Sequence, residues 1–127
     1  PVCGVCRSKY EEYPEYHTSA DDLSLISEEG LQGSAALMKK CIMALEYNYF
    51  YKLSCCCEPQ LGKRGLYPTL SQKGNYSDAA LVMRDLVAYA DGSIDLIEIS
   101  NRIRTPIDLL IPLIDKLLEN GLFGIVE

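Results

Sequence analysis

The sequence predicts an α+β fold in two parts: a loop, one helix and one strand, followed by three helices and a closing strand. The first helix is predicted from apolar residues that recur every three or four positions, at Leu31, Ala35, Met38, Ile42 and Leu45. The second part is predicted from helix signals that repeat between residues 77 and 121. A chain of 127 residues, 48% of them hydrophobic, suits one globular domain or two very small ones.

The first helix begins after Ser27, which is a good cap, and ends near Asn48. Glu28 and Glu29 lie in its first turn, where the helix dipole favours negative charge. Residues 49–57 then alternate, with Tyr and Cys on one side and Lys52 on the other, which predicts a half-buried strand. No obvious partner for this strand is visible in the chain, so its sheet neighbours are predicted to lie elsewhere.

A connecting segment follows at residues 58–69, where two prolines and two glycines argue against regular structure. Its Gly62-Lys63-Arg64-Gly65 core lacks the glycine-rich loop that opens a helix in phosphate-binding sites, so a turn is the better interpretation. We place the domain boundary here, with residues 1–70 in a first domain and residues 71–127 in a second.

The second domain is predicted to begin with a helix that Ser77 caps, followed by a turn at Asp91-Gly92 and a short helix to residue 101. Thr105 and Pro106 then start a third helix, as its cap and its first residue, and Pro112 should bend it. Residues 122–126 form the closing strand. This order of helix, short helix, helix and strand is winged-helix-like.

The charge of this domain argues against nucleic acid as a partner. Residues 77–127 contain nine acidic and four basic residues, a difference of −5, out of a net charge of −6 for the chain. A helix that reads DNA needs cations facing the phosphates, and the third helix is mainly acidic, with Asp108, Asp115 and Glu119 against Lys116. We therefore predict a protein-docking module, with no nucleic acid and no membrane as partner.

The six cysteines allow two interpretations. Cys3-x-x-Cys6 has the spacing of half a zinc knuckle, but Cys55, Cys56 and Cys57 do not supply the matching half. The favoured interpretation is reduced thiols in a cytoplasmic protein, and a structural zinc is the alternative.

The polar segment of residues 14–22 holds His17, the one histidine of the chain, next to Tyr16, Thr18, Asp21 and Asp22. A histidine in such a setting is either an ordinary surface residue or one residue of a metal or acid–base site. One imidazole cannot hold a catalytic zinc, which needs about three protein ligands.

With these residues the chain resembles the C-terminal end of the catalytic domain of two-zinc aminopeptidases. The match extends to residues 7–10, 29–33 and 58–69, which are similar to a bacterial aminopeptidase-like subfamily associated with polysaccharide biosynthesis that ends in a winged-helix module. The resemblance covers essentially the whole chain but only the final third of such proteins. It implies the tail of an α/β zinc-peptidase domain, and the start at Pro1 rather than Met agrees with a fragment.

The resemblance implies a narrow set of roles. His17 matches the last zinc ligand, Tyr16 matches a hydrogen-bond donor to the substrate oxyanion, and Asp21 or Asp22 orients the loop around His17. The other ligands lie upstream, so zinc belongs to the intact protein and this chain alone is expected to bind none and to be inactive. The implied partners are an upstream catalytic domain or another protein, with a peptide as substrate. The alternative is a stand-alone interaction or regulatory module without catalysis.

Overall fold

The structure is a computed structural model that describes residues 2–66 and 78–126. It divides into two compact units, Pro1–Ile42 and Met43–Glu127. Two short 3-10 helices, Leu23–Leu25 and Leu61–Arg64, accompany the main elements. These are α1 (Glu28–Glu46), β1 (Phe50–Leu53), α2 (Asp78–Tyr89), β2 (Asp91–Asp95), α3 (Leu96–Ile103), α4 (Ile107–Glu119) and β3 (Phe123–Val126). The predicted α+β class is confirmed. The predicted cap at Ser77 and the predicted boundary after residue 70 lie outside the described residues.

Helix α1 starts where the sequence predicts. The hydroxyl oxygen of Ser27 accepts a hydrogen bond from the amide of Gly30 at 3.0 Å, which caps the first turn. No residue of α1 is buried in the chain. Its apolar stripe is exposed, with Leu31 at 62% and Ile42 at 55% of their possible accessible surface. The helix is therefore amphipathic, but the described residues leave its apolar side open.

Strand β1 is the central strand of a three-stranded antiparallel sheet in the order β2-β1-β3. Phe50 pairs with Asp95 on one side and with Val126 on the other. The prediction that the sheet neighbours of this strand are missing from the chain is therefore wrong. The strand is also shorter than predicted: it ends at Leu53, and the chain bends at Ser54, whose amide still donates to the carbonyl oxygen of Leu122 at 2.8 Å.

The predicted turn at Asp91-Gly92 lies within a strand. β2 begins at Asp91, whose carboxylate accepts a hydrogen bond from the amide of Ser93 at 2.8 Å. Gly92 has a φ of +85°, and a Cβ atom there would lie 3.0 Å from the side chain of Val126. Because glycine has no side chain, residue 92 can adopt a turn-like backbone and can also leave room for the side chain of Val126.

Helices α3 and α4 form the helix-turn-helix part of the second unit. Asp95 caps α3, accepting a hydrogen bond from the amide of Glu98 at 2.8 Å. Helix α4 follows Pro106 without a side-chain cap, so the prediction that Thr105 caps it is wrong; the Thr105 hydroxyl donates instead to the carbonyl of Ile103. Pro112 lies inside α4, as predicted.

The core of the second unit lies between the sheet and helices α2, α3 and α4. Its side chains are nearly inaccessible to water, and burying one leucine or isoleucine contributes roughly 1.5–3 kcal/mol. Its members are Tyr51, Leu61, Met83, Leu86, Ala90, Leu96, Ile99, Leu110, Ile114, Leu117, Leu122 and Phe123. None of the helices in the described part of the chain combines the length and apolarity needed to cross a bilayer.

Candidate functional site

The loop that carries His17 is a series of tight turns in the first unit. The amide of Tyr16 donates to the carbonyl oxygen of Tyr13 at 3.2 Å, and the amide of Thr18 donates to that of Glu15 at 3.0 Å. The hydroxyl of Thr18 adds a second bond to the Glu15 carbonyl at 2.8 Å. His17 itself has a φ of 58°, a left-handed conformation that non-glycine residues rarely adopt. Strain of this kind is often found at functional positions.

The imidazole of His17 stacks on the ring of Tyr16. The two ring centroids are 4.0 Å apart and the planes differ by 14°. Tyr16 is half-buried. The ring of Tyr13 contacts it edge-on with centroids 5.6 Å apart, and the ring of Tyr10 contacts it at a tilt with centroids 6.0 Å apart. The tyrosines therefore support one face of the imidazole, while the histidine remains exposed.

The two predicted aspartates take different positions. Asp22 caps the 3-10 helix Leu23–Leu25 by accepting a hydrogen bond from the amide of Ser24 at 2.8 Å. Hydrogen bonds from the side chain and the amide of Ser24 lower the pKa of the Asp22 carboxyl. The backbone amide of Asp21 donates to the carbonyl oxygen of Thr18 at 3.2 Å. Asp22 thus holds the segment after His17 and is engaged with Ser24 rather than with the imidazole.

A cleft of about 500 Å³ lies beside this loop. Asp21, Glu15 and Tyr13 line it together with Arg7, whose guanidinium donates to the carbonyl oxygen of Gly30 at 3.1 Å. Partial burial raises the pKa of the Tyr13 hydroxyl, and the charge of Asp21 raises it further. The structure thus brings Asp21 into the cleft, whereas Tyr16 and His17 lie outside its lining.

A zinc ion needs more donors than this loop supplies. Within residues 2–66 and 78–126, no group of three or more His, Cys, Asp or Glu side chains is placed to hold a metal. The loop offers one imidazole and a neighbouring phenol as donors. This is enough for one ligand of a zinc site and too few for a complete site. Cys3 and Cys6 are exposed free thiols.

Helix α4 presents a surface that is both acidic and apolar. Leu109 is 60% exposed, and Asp108, Pro112, Lys116 and Glu119 are exposed along the same helix. Asp115 is only half-exposed and accepts a hydrogen bond from the hydroxyl of Tyr47 at 3.1 Å. That bond raises the pKa of the Tyr47 hydroxyl. One of the three predicted acidic residues of α4 is therefore used inside the unit, a role that helical spacing could not indicate.

Comparison with known proteins gives matches along most of the chain. Residues 49–124 match a winged helix-turn-helix family, and residues 1–48 match a domain of unknown function (DUF4910). Over 101 residues the chain is 36% identical to a protein of Clostridium acetobutylicum named as a polysaccharide biosynthesis protein with an aminopeptidase-like domain. That match covers 79% of this chain and 23% of the relative.

A solved structure gives the same result. The 2.37 Å crystal structure of a protein assigned as a peptidase, from the same organism, superposes with a TM-score of 0.72 at 29% sequence identity. The superposition covers 90% of this chain and 24% of the other, so the chain spans about a quarter of the length of either relative. The expected similarity to aminopeptidase-like proteins and the expected winged helix are confirmed at this level.

Proposed function

The chain belongs to the winged helix-turn-helix family through residues 49–124, and we propose that it is the C-terminal part of a zinc-dependent aminopeptidase-like protein. The observation that carries the proposal is the similarity to a peptidase structure over 90% of the chain. The sequence relative with an aminopeptidase-like domain agrees with it over 79% of the chain. In this proposal the first unit contributes to a peptidase site and the winged-helix unit docks onto protein.

His17 is the residue of the first unit that we assign to the metal. Its ring is exposed, its backbone is held in a left-handed turn, and Tyr16 supports one face of it. Zinc, when bound, supplies an activated water molecule for attack on a peptide bond. The proposal assigns the remaining ligands to parts of the protein outside this chain, since the described residues contain no group of three or more side chains placed to hold a metal.

Tyr16 and the aspartates have supporting roles in this proposal. The hydroxyl of Tyr16 donates a hydrogen bond to the carbonyl oxygen of the substrate as negative charge develops there. Asp22 holds the turn after His17 through its bond to Ser24. Asp21 lines the neighbouring cleft and provides a negative charge there, which suits the free amino group of a peptide substrate.

The test uses the full-length protein that contains this segment. We expect His17→Ala to lose zinc and peptidase activity together, as measured by metal analysis and by hydrolysis of an aminoacyl p-nitroanilide. Tyr16→Phe should keep its zinc and lose about 10²–10³ in kcat, the usual effect of removing one oxyanion donor. Glu11→Ala, at an exposed position that also has a positive φ, is the matched control. Unchanged zinc content and rate in His17→Ala would rule out the ligand assignment.

The winged-helix unit is proposed to dock onto protein through α4. Its exposed surface carries Leu109 and Pro112 between acidic ends, and DNA phosphates would be repelled by Asp108 and Glu119. Lys116 is the one cation on α4, and Arg102 of α3 is paired with Glu98 at 2.8 Å. Exposed apolar groups with few cations suit a protein surface better than a nucleic acid.

Leu109→Glu tests this surface. It should weaken the association of the 127-residue chain with a separately expressed catalytic region at least about tenfold, which corresponds to about 1.4 kcal/mol. Ala88→Glu introduces the same charge at an exposed position of α2 and should have no effect. Equal binding by both variants would contradict the docking role. Tight binding of duplex DNA at about 0.15 M salt would favour a DNA-binding function instead.

A stand-alone interaction module without catalysis is the competing function. One observation favours it: the buried core is built from residues between Tyr51 and Phe123 and lies wholly in the second unit. A separate core permits independent folding. Retention of peptidase activity by a full-length protein that lacks this whole segment would support this second function and oppose the first.

A further inference from the structure

A second cleft, of about 670 Å³, lies in the unit Met43–Glu127 and belongs to neither proposed role. Cys55, Cys56 and Cys57 line one wall of it. Cys56 and Cys57 are exposed, and Cys55 is partly exposed. Three neighbouring thiols in an open cleft are accessible to small reagents, so they can react as well as pack.

The segment that carries these thiols is fixed at both ends. On one side the Ser54 amide donates to the carbonyl oxygen of Leu122 at 2.8 Å, and the Ser54 hydroxyl donates to that of Gly121 at 2.9 Å. On the other side Pro59 is buried and Leu61 is part of the core, with 2% of its surface exposed. The thiols therefore sit on a short, anchored bend rather than on a free loop.

The bend places the thiol of Cys55 against the backbone of Cys57. The sulfur of Cys55 donates a hydrogen bond to the carbonyl oxygen of Cys57 at 3.1 Å, so it lies beside residue 57. A disulfide needs Cβ atoms about 3.5–4.5 Å apart, and the backbone sets that separation. A bend that holds the Cys55 sulfur against the backbone of Cys57 therefore favours pairing of these two residues. We propose that Cys55 and Cys57 form a thiol–disulfide exchange pair whose co-substrate is a small disulfide such as glutathione disulfide.

The reaction balances in two exchanges. The thiolate of Cys55 attacks one sulfur of glutathione disulfide, the S–S bond breaks, and the departing glutathione thiolate takes the proton that Cys55 lost. The thiolate of Cys57 then attacks the sulfur of Cys55 and displaces the second glutathione, which takes the proton of Cys57. Two protein thiols are oxidised to one disulfide, and one glutathione disulfide is reduced to two glutathione molecules.

The test uses the reduced 127-residue chain and glutathione disulfide, with an acid quench, alkylation, trypsin digestion and mass spectrometry. Trypsin releases residues 53–63, which contain all three thiols. We expect the wild-type peptide to lose two hydrogens and to carry one alkyl group, on Cys56. The matched variant Cys56→Ser should also lose two hydrogens. Cys55→Ser and Cys57→Ser should instead stop at the mixed disulfide with glutathione.

Two results would overturn the pairing. The first is an intramolecular disulfide that includes Cys56 in the wild-type chain, or a Cys56→Ser variant that keeps one glutathione attached. The second comes from the same reaction in concentrated urea, where unfolding should remove the preference for the Cys55–Cys57 pair. A preference that is equal in folded and unfolded chains would show that the anchored bend does not direct the reaction.

Discussion

Tyr51 offers a sharp test of how the second unit is held together. Its side chain is 1% exposed, its ring stacks on Phe123 with centroids 5.8 Å apart, and its hydroxyl donates to the carbonyl oxygen of Tyr47 at 3.0 Å. Tyr51→Phe keeps the ring and removes the hydroxyl. The Tyr47 carbonyl retains the amide of Tyr49 as a donor at 2.9 Å. The loss at neutral pH should therefore be close to the net value of one hydrogen bond, about 1 kcal/mol.

The same variant carries a pH signature. Burial raises the pKa of Tyr51 from 10.0 to about 12. Because the pKa is higher in the folded state, the associated stability is complete below pH 10 and is lost as pH rises towards 12. By about pH 11 the unfolded state has gained about 1.4 kcal/mol from ionising this hydroxyl, while the folded state has gained little. The free energies of unfolding of the wild type and Tyr51→Phe should thus cross near pH 11.

Urea denaturation followed by circular dichroism, at about pH 7, 9 and 11, measures both effects. Groups that titrate in this range and do not interact with Tyr51 contribute equally to the two proteins, so the difference between them reports on Tyr51 and on its neighbours Tyr47 and Tyr49. Tyr49→Phe, in a ring that is 46% exposed, is the control and should change the free energy of unfolding by less than about 0.5 kcal/mol at pH 7. A difference between wild type and Tyr51→Phe that stays constant from pH 7 to 11 would refute the assignment of a buried, protonated hydroxyl.

Three further substitutions probe the second unit, each with its own control. Leu110→Ala should cost about 2–5 kcal/mol in denaturant titrations because the side chain is fully buried, whereas Leu109→Ala at the exposed neighbour should cost less than about 0.5 kcal/mol. Gly92→Ala should cost more than about 1 kcal/mol, since its φ is +85° and the new Cβ meets a side chain at 3.0 Å. A Cβ atom at Gly124 would meet nothing within 4 Å, so Gly124→Ala is the control. Thermal melts that coincide for the two glycine variants would contradict the predicted cost at Gly92. Asp95→Ala should lose about 1 kcal/mol of capping energy, and Asp95→Asn should retain most of it; equal losses in urea titrations would refute the cap.

Local signals in the sequence predicted the helices well and the sheet poorly. Ser27 and the spacing of the apolar residues after it are enough to predict α1, because helix contacts span only three or four residues. The partners of β1 could not be found in this way. Phe50 pairs with Asp95 and Val126, and no local pattern records which distant segments meet. The Asp91-Gly92 signal failed for a related reason, since the glycine also serves a contact across strands.

The candidate site was predictable only in part. The polar residues around His17 indicate a metal or acid–base site, and the resemblance to aminopeptidase-like proteins predicts that His17 is a zinc ligand. The stacking of His17 on Tyr16 depends on a left-handed backbone at residue 17, which no residue type in that segment requires. The close approach of Cys55 to Cys57 was missed because alternation predicted a strand through Cys57, whereas β1 ends at Leu53.

The order of strands in the sheet has a consequence for synthesis on the ribosome. β1 is made first, yet both of its neighbours come later: β2 ends at Asp95 and β3 ends at Val126. Pairings between segments so far apart form slowly, and ribosomes add only about 5–20 residues per second. The backbone N–H and C=O groups on both edges of the nascent β1 therefore remain unpaired for seconds. During that interval its Tyr and Phe side chains are available to chaperones, and the sheet can close only after residue 126 has left the exit tunnel.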